Sequence, residues 1–157
     1  MLYRLYTPED FDSLYAIEEI CFEPPLRFGR RYMRQLIDRS NALTWIAEGD
    51  GQMGGFAIVE LRREQEGPIA YIQTIEVAPD LRGRGIGREL LHRLEDSGCN
   101  AGAHAIWLHV DEENAQAIRL YESMGYLDRG REECYYPSGH AAMIYSKPLA
   151  AEESKRP

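Results

Sequence analysis

The stretch Val77-Ala78-Pro79-Asp80-Leu81-Arg82-Gly83-Arg84-Gly85-Ile86-Gly87 constrains this chain more than any other. It reads as a buried strand that passes through a glycine-rich turn into an amphipathic helix. Such a turn leaves the first N–H groups of the helix without intrahelical partners, and the missing side chains let a ligand approach the main chain. A diphosphate suits that cradle. Arg82, Arg84 and Arg88 crowd the helix start, where their charge opposes the helix dipole unless an anion offsets it. A tight turn with solvated arginines is the plainer reading of the same residues. Two common nucleotide sites fit poorly. No lysine occurs between Met1 and Tyr145, which removes a GxxxxGK[ST] loop. The glycines follow GxGxG, with Arg88 where a dinucleotide fingerprint needs its last glycine.

The chain has 157 residues and a formal charge of -8, which fits one soluble domain and argues against nucleic acid or an anionic membrane as partner. Cys21, Cys99 and Cys134 form no CxxC pair, and His92, His104, His109 and His140 are scattered without ligand spacing, so no metal site is expected. The absence of a signal-like start or a membrane-length apolar run leads to the expectation of a cytoplasmic protein.

Residues 2–6 read as an edge strand, followed by a helix over 8–21 that Pro24 and Pro25 stop, and a second helix over 30–39. Strands are expected over 43–48 and 52–63, joined by the hairpin dipeptide Asp50-Gly51. Residues 64–68 read as a loop before a central strand over 69–78. A helix over 85–97 is expected to stop at Gly98, and a buried strand over 105–110 to follow. Asn114 caps a fourth helix, whose Ile118, Tyr121 and Met124 share a face; strands over 126–135 and 141–147 close the domain. Residues 1–149 are thus one α/β domain, and 150–157 are expected to be a disordered tail.

The spacing [RQ]-x-x-G-x-[GA], present as Arg82 to Gly87, resembles the acyl-CoA loop of the GNAT superfamily of N-acetyltransferases. The resemblance continues through Leu108-His109-Val110, Asn114, Ala117-Ile118, Leu120-Tyr121-Glu122-Ser123, Gly125-Tyr126 and Tyr135-Tyr136-Pro137, in the order of the RimI-type N-terminal protein acetyltransferases. It implies a GNAT fold with a mixed, mostly antiparallel, twisted sheet of about seven strands and four helices. It also implies acetyl-CoA as co-substrate, its diphosphate on Arg82, Gly83, Arg84, Gly85, Ile86 and Gly87. Its pantetheine is expected along Ile75, Glu76 and Val77, with Asn114 and Tyr121 also on the coenzyme side. The implied reaction is direct attack of an amine on the thioester, to which a protein or peptide N-terminus is the expected acceptor and a monomer or weak homodimer the expected state.

That reaction needs a neutral amine and a proton for the thiolate. Tyr121 corresponds to the family's general acid. RimI-type enzymes carry glutamate where this chain has His109; histidine there, with tyrosine at Tyr71, resembles several eukaryotic N-terminal acetyltransferases, and implies that the two hold a basic water. Glu76 is the second candidate base, on the opposite face from Tyr71 unless a bulge intervenes. Packing alone also accounts for a tyrosine at Tyr71 or Tyr121 and a histidine at His109. The acceptor is expected between Phe22, Glu23, Pro24, Pro25 and Leu26 on one side and Tyr135, Tyr136 and His140 on the other. The turn after the tyrosine pair is only Ser138-Gly139-His140-Ala141, shorter than in related bacterial enzymes. A small-molecule amine, a lysine side chain, or acyl-CoA binding without turnover are the other readings.

Overall fold

The computed structural model describes residues 1–149; the tail expected over 150–157 lies outside the described residues. One seven-stranded sheet carries the fold, in the order β1-β2-β3-β4-β5-β7-β6. Its strands are β1 (Leu2–Leu5), β2 (Ala42–Gly49), β3 (Gln52–Glu64), β4 (Gly67–Val77), β5 (Ala105–Asp111), β6 (Leu127–Glu132) and β7 (Ala142–Pro148). Every neighbouring pair is antiparallel except β4 and β5. The helices are α1 (Phe11–Cys21), α2 (Arg30–Ile37), α3 (Ile86–Asn100) and α4 (Ala115–Ser123).

Alternation along the strands builds two cores. Ile46, Phe56 and Ile58 pack with Phe11, Leu14, Met33 and Leu36 of α1 and α2. Ala47, Ala57, Val59 and Ile72 point the other way, toward Leu90, Leu91 and Leu94 of α3 and Tyr121 of α4. The β2–β3 hairpin turns at Asp50 (φ 52°) and Gly51 (φ 74°), the paired positive angles that a two-residue turn needs to match strand twist.

Most boundaries fall within a residue or two of the sequence reading, although the helix expected over 8–21 is a 3₁₀ turn at Pro8–Asp10 before α1, and four further differences are informative. Gly98 does not stop α3. It is buried within the helix, where a Cβ would come within 3.1 Å of the Ala70 Cβ, so glycine there permits close helix-to-sheet approach. The helix runs on to Asn100 and its chain reverses at Gly102, at φ 85°, with Ala103 N–H returning to the Gly98 carbonyl. The loop expected over 64–68 shrinks to Gln65 and Glu66, because Glu64 and Gly67 pair as the last rung of a β3–β4 hairpin. The strand expected to reach residue 135 ends at Glu132, and α2 ends at Ile37 rather than 39.

Two strands are irregular where it matters. Opposite β3, Ile58 pairs with Thr74 and Val59 with Ile72, so Gln73 is an extra residue in β4. The bulge reverses the alternation and puts Tyr71, opposite Glu60, on the same sheet face as Glu76, opposite Phe56. In β6, Asp128 pairs with Tyr145 and Gly130 with Ile144, which leaves Arg129 extra.

Gly55 sits under α3, where an added Cβ would lie 2.6 Å from the Glu76 carbonyl oxygen of β4 and 3.3 Å from the Val77 Cα. A main-chain atom cannot move aside as a side chain can. Gly55→Ala is expected to cost about 1–3 kcal/mol of overpacking, read as a fall of roughly 3–10 °C in Tm for a domain of this size. An unchanged melting curve would contradict this register.

Candidate active site

The parallel strands β4 and β5 pair only from Ala70–Ile106 to Ile72–Leu108 and then part. The gap widens into a cavity of about 580 Å³. Its walls are Ile75, Glu76 and Val77 of β4, the turn at Arg82, Gly83 and Gly85 to Arg88, which leaves Arg84 outside the lining, and Asn114, Ala117, Leu120 and Tyr121 at α4. Cys21, Phe22 and Leu26 close it on the α1 side, and Asp111 and His140 stand at its rim.

The turn has the predicted form. Gly83 (φ 80°) and Gly85 (φ 84°) both take left-handed angles. A Cβ at either would meet no atom within 4 Å, so the angle rather than space demands glycine. Gly85 is the N-cap of α3, and the first-turn amides that follow face the cavity end without intrahelical acceptors. Two of the three arginines are already engaged. Arg82 turns back, its Nε donating to the Val77 carbonyl (3.1 Å) and its Nη2 meeting the Cys21 Sγ (3.4 Å). Arg88 donates to Ser123 Oγ at 3.1 Å and so ties α3 to α4. Asn114 caps α4, its Oδ1 accepting from Ala117 N–H at 3.1 Å.

Tyr121 is buried on the cavity wall, and among the described residues no group bonds its hydroxyl. Burial alone pushes its ionisation far above the ordinary phenol range, so it stays a protonated donor.

Tyr71 and His109 meet as the sequence implied, but in direct contact: Tyr71 Oη lies 2.7 Å from His109 Nδ1. The second imidazole nitrogen faces the Glu132 carboxylate at 3.2 Å. The Tyr135 ring stacks on the imidazole, centroids 4.6 Å apart and planes 3° from parallel. Tyr136 packs edge-on to Tyr135. Arg62 lies over the Tyr71 ring at 4.0 Å and is held by Glu60. Burial, and then the neighbouring Tyr135, raise the Tyr71 ionisation well above the phenol range against the opposing pull of Arg62. This cluster stands beside the cavity and is not part of its lining.

Glu76 faces the cavity, yet its carboxyl is buried, with Oε2 accepting from Thr74 Oγ1 at 2.8 Å and Oε1 unpartnered. The buried Glu18 of α1 stands near it, with its own Oε1 likewise unpartnered and its Oε2 accepting from Phe28 N–H at 2.9 Å. Burial first, and Glu18 second, push the Glu76 acid well above the carboxylate range, which favours its protonated form. At the rim, both Asp111 oxygens lie 3.1 Å from His140 Nδ1 and raise that imidazole's ionisation. The contact is fully charged below about pH 6.5 and weakens as pH rises through the raised value.

Phe22, Glu23, Pro24, Pro25 and Leu26 line a second hollow that Ser138 faces from the β6–β7 turn. Cys21, Phe22 and Leu26 border both spaces, so the hollow continues the cavity. The structure therefore gathers the predicted loop, strand edge and Tyr121 around one space and sets Tyr71, His109, Tyr135 and Tyr136 at its flank. Glu18, Asp111 and Glu132 are additions that no spacing announces. Among the described residues no group of three His, Cys, Asp or Glu could hold a metal ion, and no helix is long and apolar enough to cross a membrane.

Comparison with known proteins places this geometry. The family described as Acetyltransferase (GNAT) family matches residues 11–126. Streptothricin acetyltransferase of Streptomyces lavendulae is 36% identical over 114 residues, which span 69% of this chain and 59% of the relative, less than two thirds of its length. The [Ribosomal protein bS18]-alanine N-acetyltransferase of Salmonella typhimurium is 38% identical over 104 residues, 64% of this chain and 68% of that protein. The crystal structure of the ribosomal-protein-S18-alanine N-acetyltransferase from Escherichia coli superimposes with a TM-score of 0.83 at 26% identity, covering 99% of this chain and 98% of that one.

The carboxyl pair gives a pH prediction. A carboxyl whose folded pKa is raised contributes full stability below its unfolded value, about 4, and loses it as pH rises toward the folded value. Glu18→Gln keeps an acceptor for Phe28 N–H and removes one potential charge, so the variant should melt a few degrees above the parent at pH 8, roughly 1 kcal/mol or more for each unit of pKa relieved. The difference should close by pH 5. A gap independent of pH would mean that the pair shares no proton.

Proposed function

The chain belongs to the acetyltransferase (GNAT) family, and from that membership we propose that it is an acetyl-CoA-dependent N-acetyltransferase whose acceptor is the α-amino group at the end of a protein or peptide. The observation that carries the coenzyme assignment is the parted β4–β5 gap ending at a turn with two left-handed glycines. The residues fit the group: first-turn amides of α3 for the diphosphate, the unpaired β4 edge at Ile75 to Val77 for the amide-bearing arm, and an apolar wall from α4. When bound, the coenzyme supplies an acetyl carbonyl activated as a thioester.

The chain's own groups then divide the proton work. Tyr121, neutral and unpartnered, donates from Oη to the departing sulfur. Tyr71 and His109 take the proton of the acceptor amine, directly or through a water. Glu76, its protonated form favoured by burial and Glu18, is less suited to that role. An α-amine, with a pKa near 7.7–8.0, is about one-tenth neutral at pH 7, whereas a lysine near 10.4 is neutral in fewer than about one molecule in a thousand. A weakly activated site favours the α-amine. Tyr135 and Tyr136 beside the hollow offer amphipathic edges to an extended peptide. The likeness to streptothricin acetyltransferase gives the second reading, a small-molecule amine.

Acetyl-CoA consumption against a panel of short peptides, α-acetylated controls and streptothricin decides between them. Turnover on free peptide N-termini alone supports the proposal, and turnover on streptothricin alone replaces it. Tyr121→Phe is expected to lower kcat about 100-fold or more, in the range of general acid catalysis, with acetyl-CoA affinity retained by calorimetry. Unchanged kcat would remove Tyr121 from the mechanism.

A further inference from the structure

We propose that Glu132 is a positioning residue that completes a carboxylate-imidazole-phenol line, Glu132–His109–Tyr71, and sets the direction in which the acceptor's proton leaves. The proposal rests on the acetyltransferase reading above. Its basis is geometric. His109 has two nitrogens and both are engaged, Nε2 with Glu132 at 3.2 Å and Nδ1 with Tyr71 at 2.7 Å. An ionised carboxylate only accepts hydrogen bonds, so the neutral imidazole carries its proton on Nε2 and presents a bare Nδ1. The Tyr71 O–H therefore donates to Nδ1, and its oxygen lone pairs are left to receive a proton from the acceptor side. A carboxylate that fixes the histidine tautomer, and through it the orientation of a hydroxyl, is the logic of catalytic triads.

The sheet has to be irregular for this contact to exist. His109 pairs with Ile144 of β7, and Asp111 pairs with Ala142. Were β6 regular, continuing its first rungs Leu127–Ser146 and Asp128–Tyr145 would set Arg131 opposite Ala142. The extra residue Arg129 shifts the register by one and brings Glu132 opposite Ala142, on the face that His109 occupies. Arg131 turns instead to Glu112 and Glu133. The bulge thus replaces a cation by an anion beside the imidazole. The other groups facing His109 are the phenols of Tyr71 and Tyr135, with Arg62 behind Tyr71.

Proton movement then balances. One proton passes from the acceptor ammonium to Tyr71 Oη while the Tyr71 proton passes to His109 Nδ1, and the imidazolium is held by Glu132, whose side chain is more than half exposed; after transfer the Nδ1 proton returns through Tyr71 to water, which restores the Nε2–H tautomer. The freed nitrogen forms the C–N bond as the C–S bond breaks. The sulfur takes the Tyr121 proton, and the second proton of the nitrogen restores Tyr121.

The test uses the full chain with a peptide it acetylates. Glu132→Ala should lower kcat about 10-fold or more, as loss of a carboxylate behind a functional imidazole does elsewhere, with KM for acetyl-CoA within twofold. Glu132→Gln keeps an acceptor for Nε2–H but not the charge, so it should recover part of kcat and move the acid limb of the pH profile to lower pH, because an imidazolium is harder to form. Adding Glu132→Ala to His109→Gln should cost nothing further. Independent effects of the two, or an unmoved profile, would overturn the assignment. A readout without turnover is the ¹⁵N spectrum of the resting protein, with His109 identified by its loss in His109→Gln: a proton on Nε2 is required, and a proton on Nδ1 refutes the line even in a chain that acetylates no amine tested. Failure of every amine alongside an Nε2 proton would instead sink the acetyltransferase reading alone.

Discussion

Two parallel strands that begin as neighbours and then separate impose the rest of this structure. After Ile72 and Leu108 the main-chain groups on the facing edges of β4 and β5 no longer satisfy each other, and unpaired backbone polar groups inside a fold are costly unless water or a ligand meets them. The opening therefore selects an extended ligand with amide groups of its own. Everything nearby is arranged along it: the glycine turn at one end, Tyr121 on the α4 wall, and the rim where Asp111 holds His140. The helices cannot close the gap, because α3 is committed to Val59, Ile72 and the neighbouring core, and α4 to α3.

Charge is distributed with the same economy. The chain carries a net charge of -8, unfavourable for the anionic coenzyme proposed, and three of its arginines, Arg82, Arg84 and Arg88, stand at the α3 turn. Three acids line the cavity, Glu76, Asp111 and Glu113, and of these Glu76 alone is buried. Its raised ionisation, set by burial and by Glu18, keeps a proton there, so the pair presents at most one negative charge where two would repel the ligand. Tyr71 and Tyr121 are neutral for a similar reason, yet they differ in use. Among the described residues Tyr121 has no partner for its hydroxyl, as the proposed proton donor requires, whereas Tyr71 is bonded on the imidazole side, as the proposed relay requires.

The sequence reveals local chemistry well and strand register poorly. The β2–β3 turn is legible because Asp50-Gly51 is one of few dipeptides that tolerate two positive φ angles, and the α3 cradle because its glycines have a conformational purpose that spacing preserves. Gly98 misleads for the opposite reason: a glycine read as a helix stop is there to let α3 approach Ala70, a long-range demand that no local window contains. The bulges at Gln73 and Arg129 are equally hidden, since a period of two gives no warning of an inserted residue. Both decide which side chains share a face. The first joins Tyr71 to the face of Glu76, and the second admits Glu132 to that of His109. Glu18 is invisible too, being one acid among several in an amphipathic helix.

That pattern separates what positions the coenzyme from what moves the proton. The proposed coenzyme cradle is made of main chain and needs only glycines at fixed intervals, so it is legible in the sequence as a motif. The proton line is made of side chains contributed by β4, β5 and β6, whose meeting depends on an extra residue in the last of these. A slip of residues 129–132 by one place along β7, which would pair Arg129 with Ile144 and Arg131 with Ala142, would remove the bulge, bring Arg131 to the imidazole and leave the cradle intact. Acceptor chemistry in this fold can thus change through strand register alone, while the binding of the shared coenzyme is unaffected.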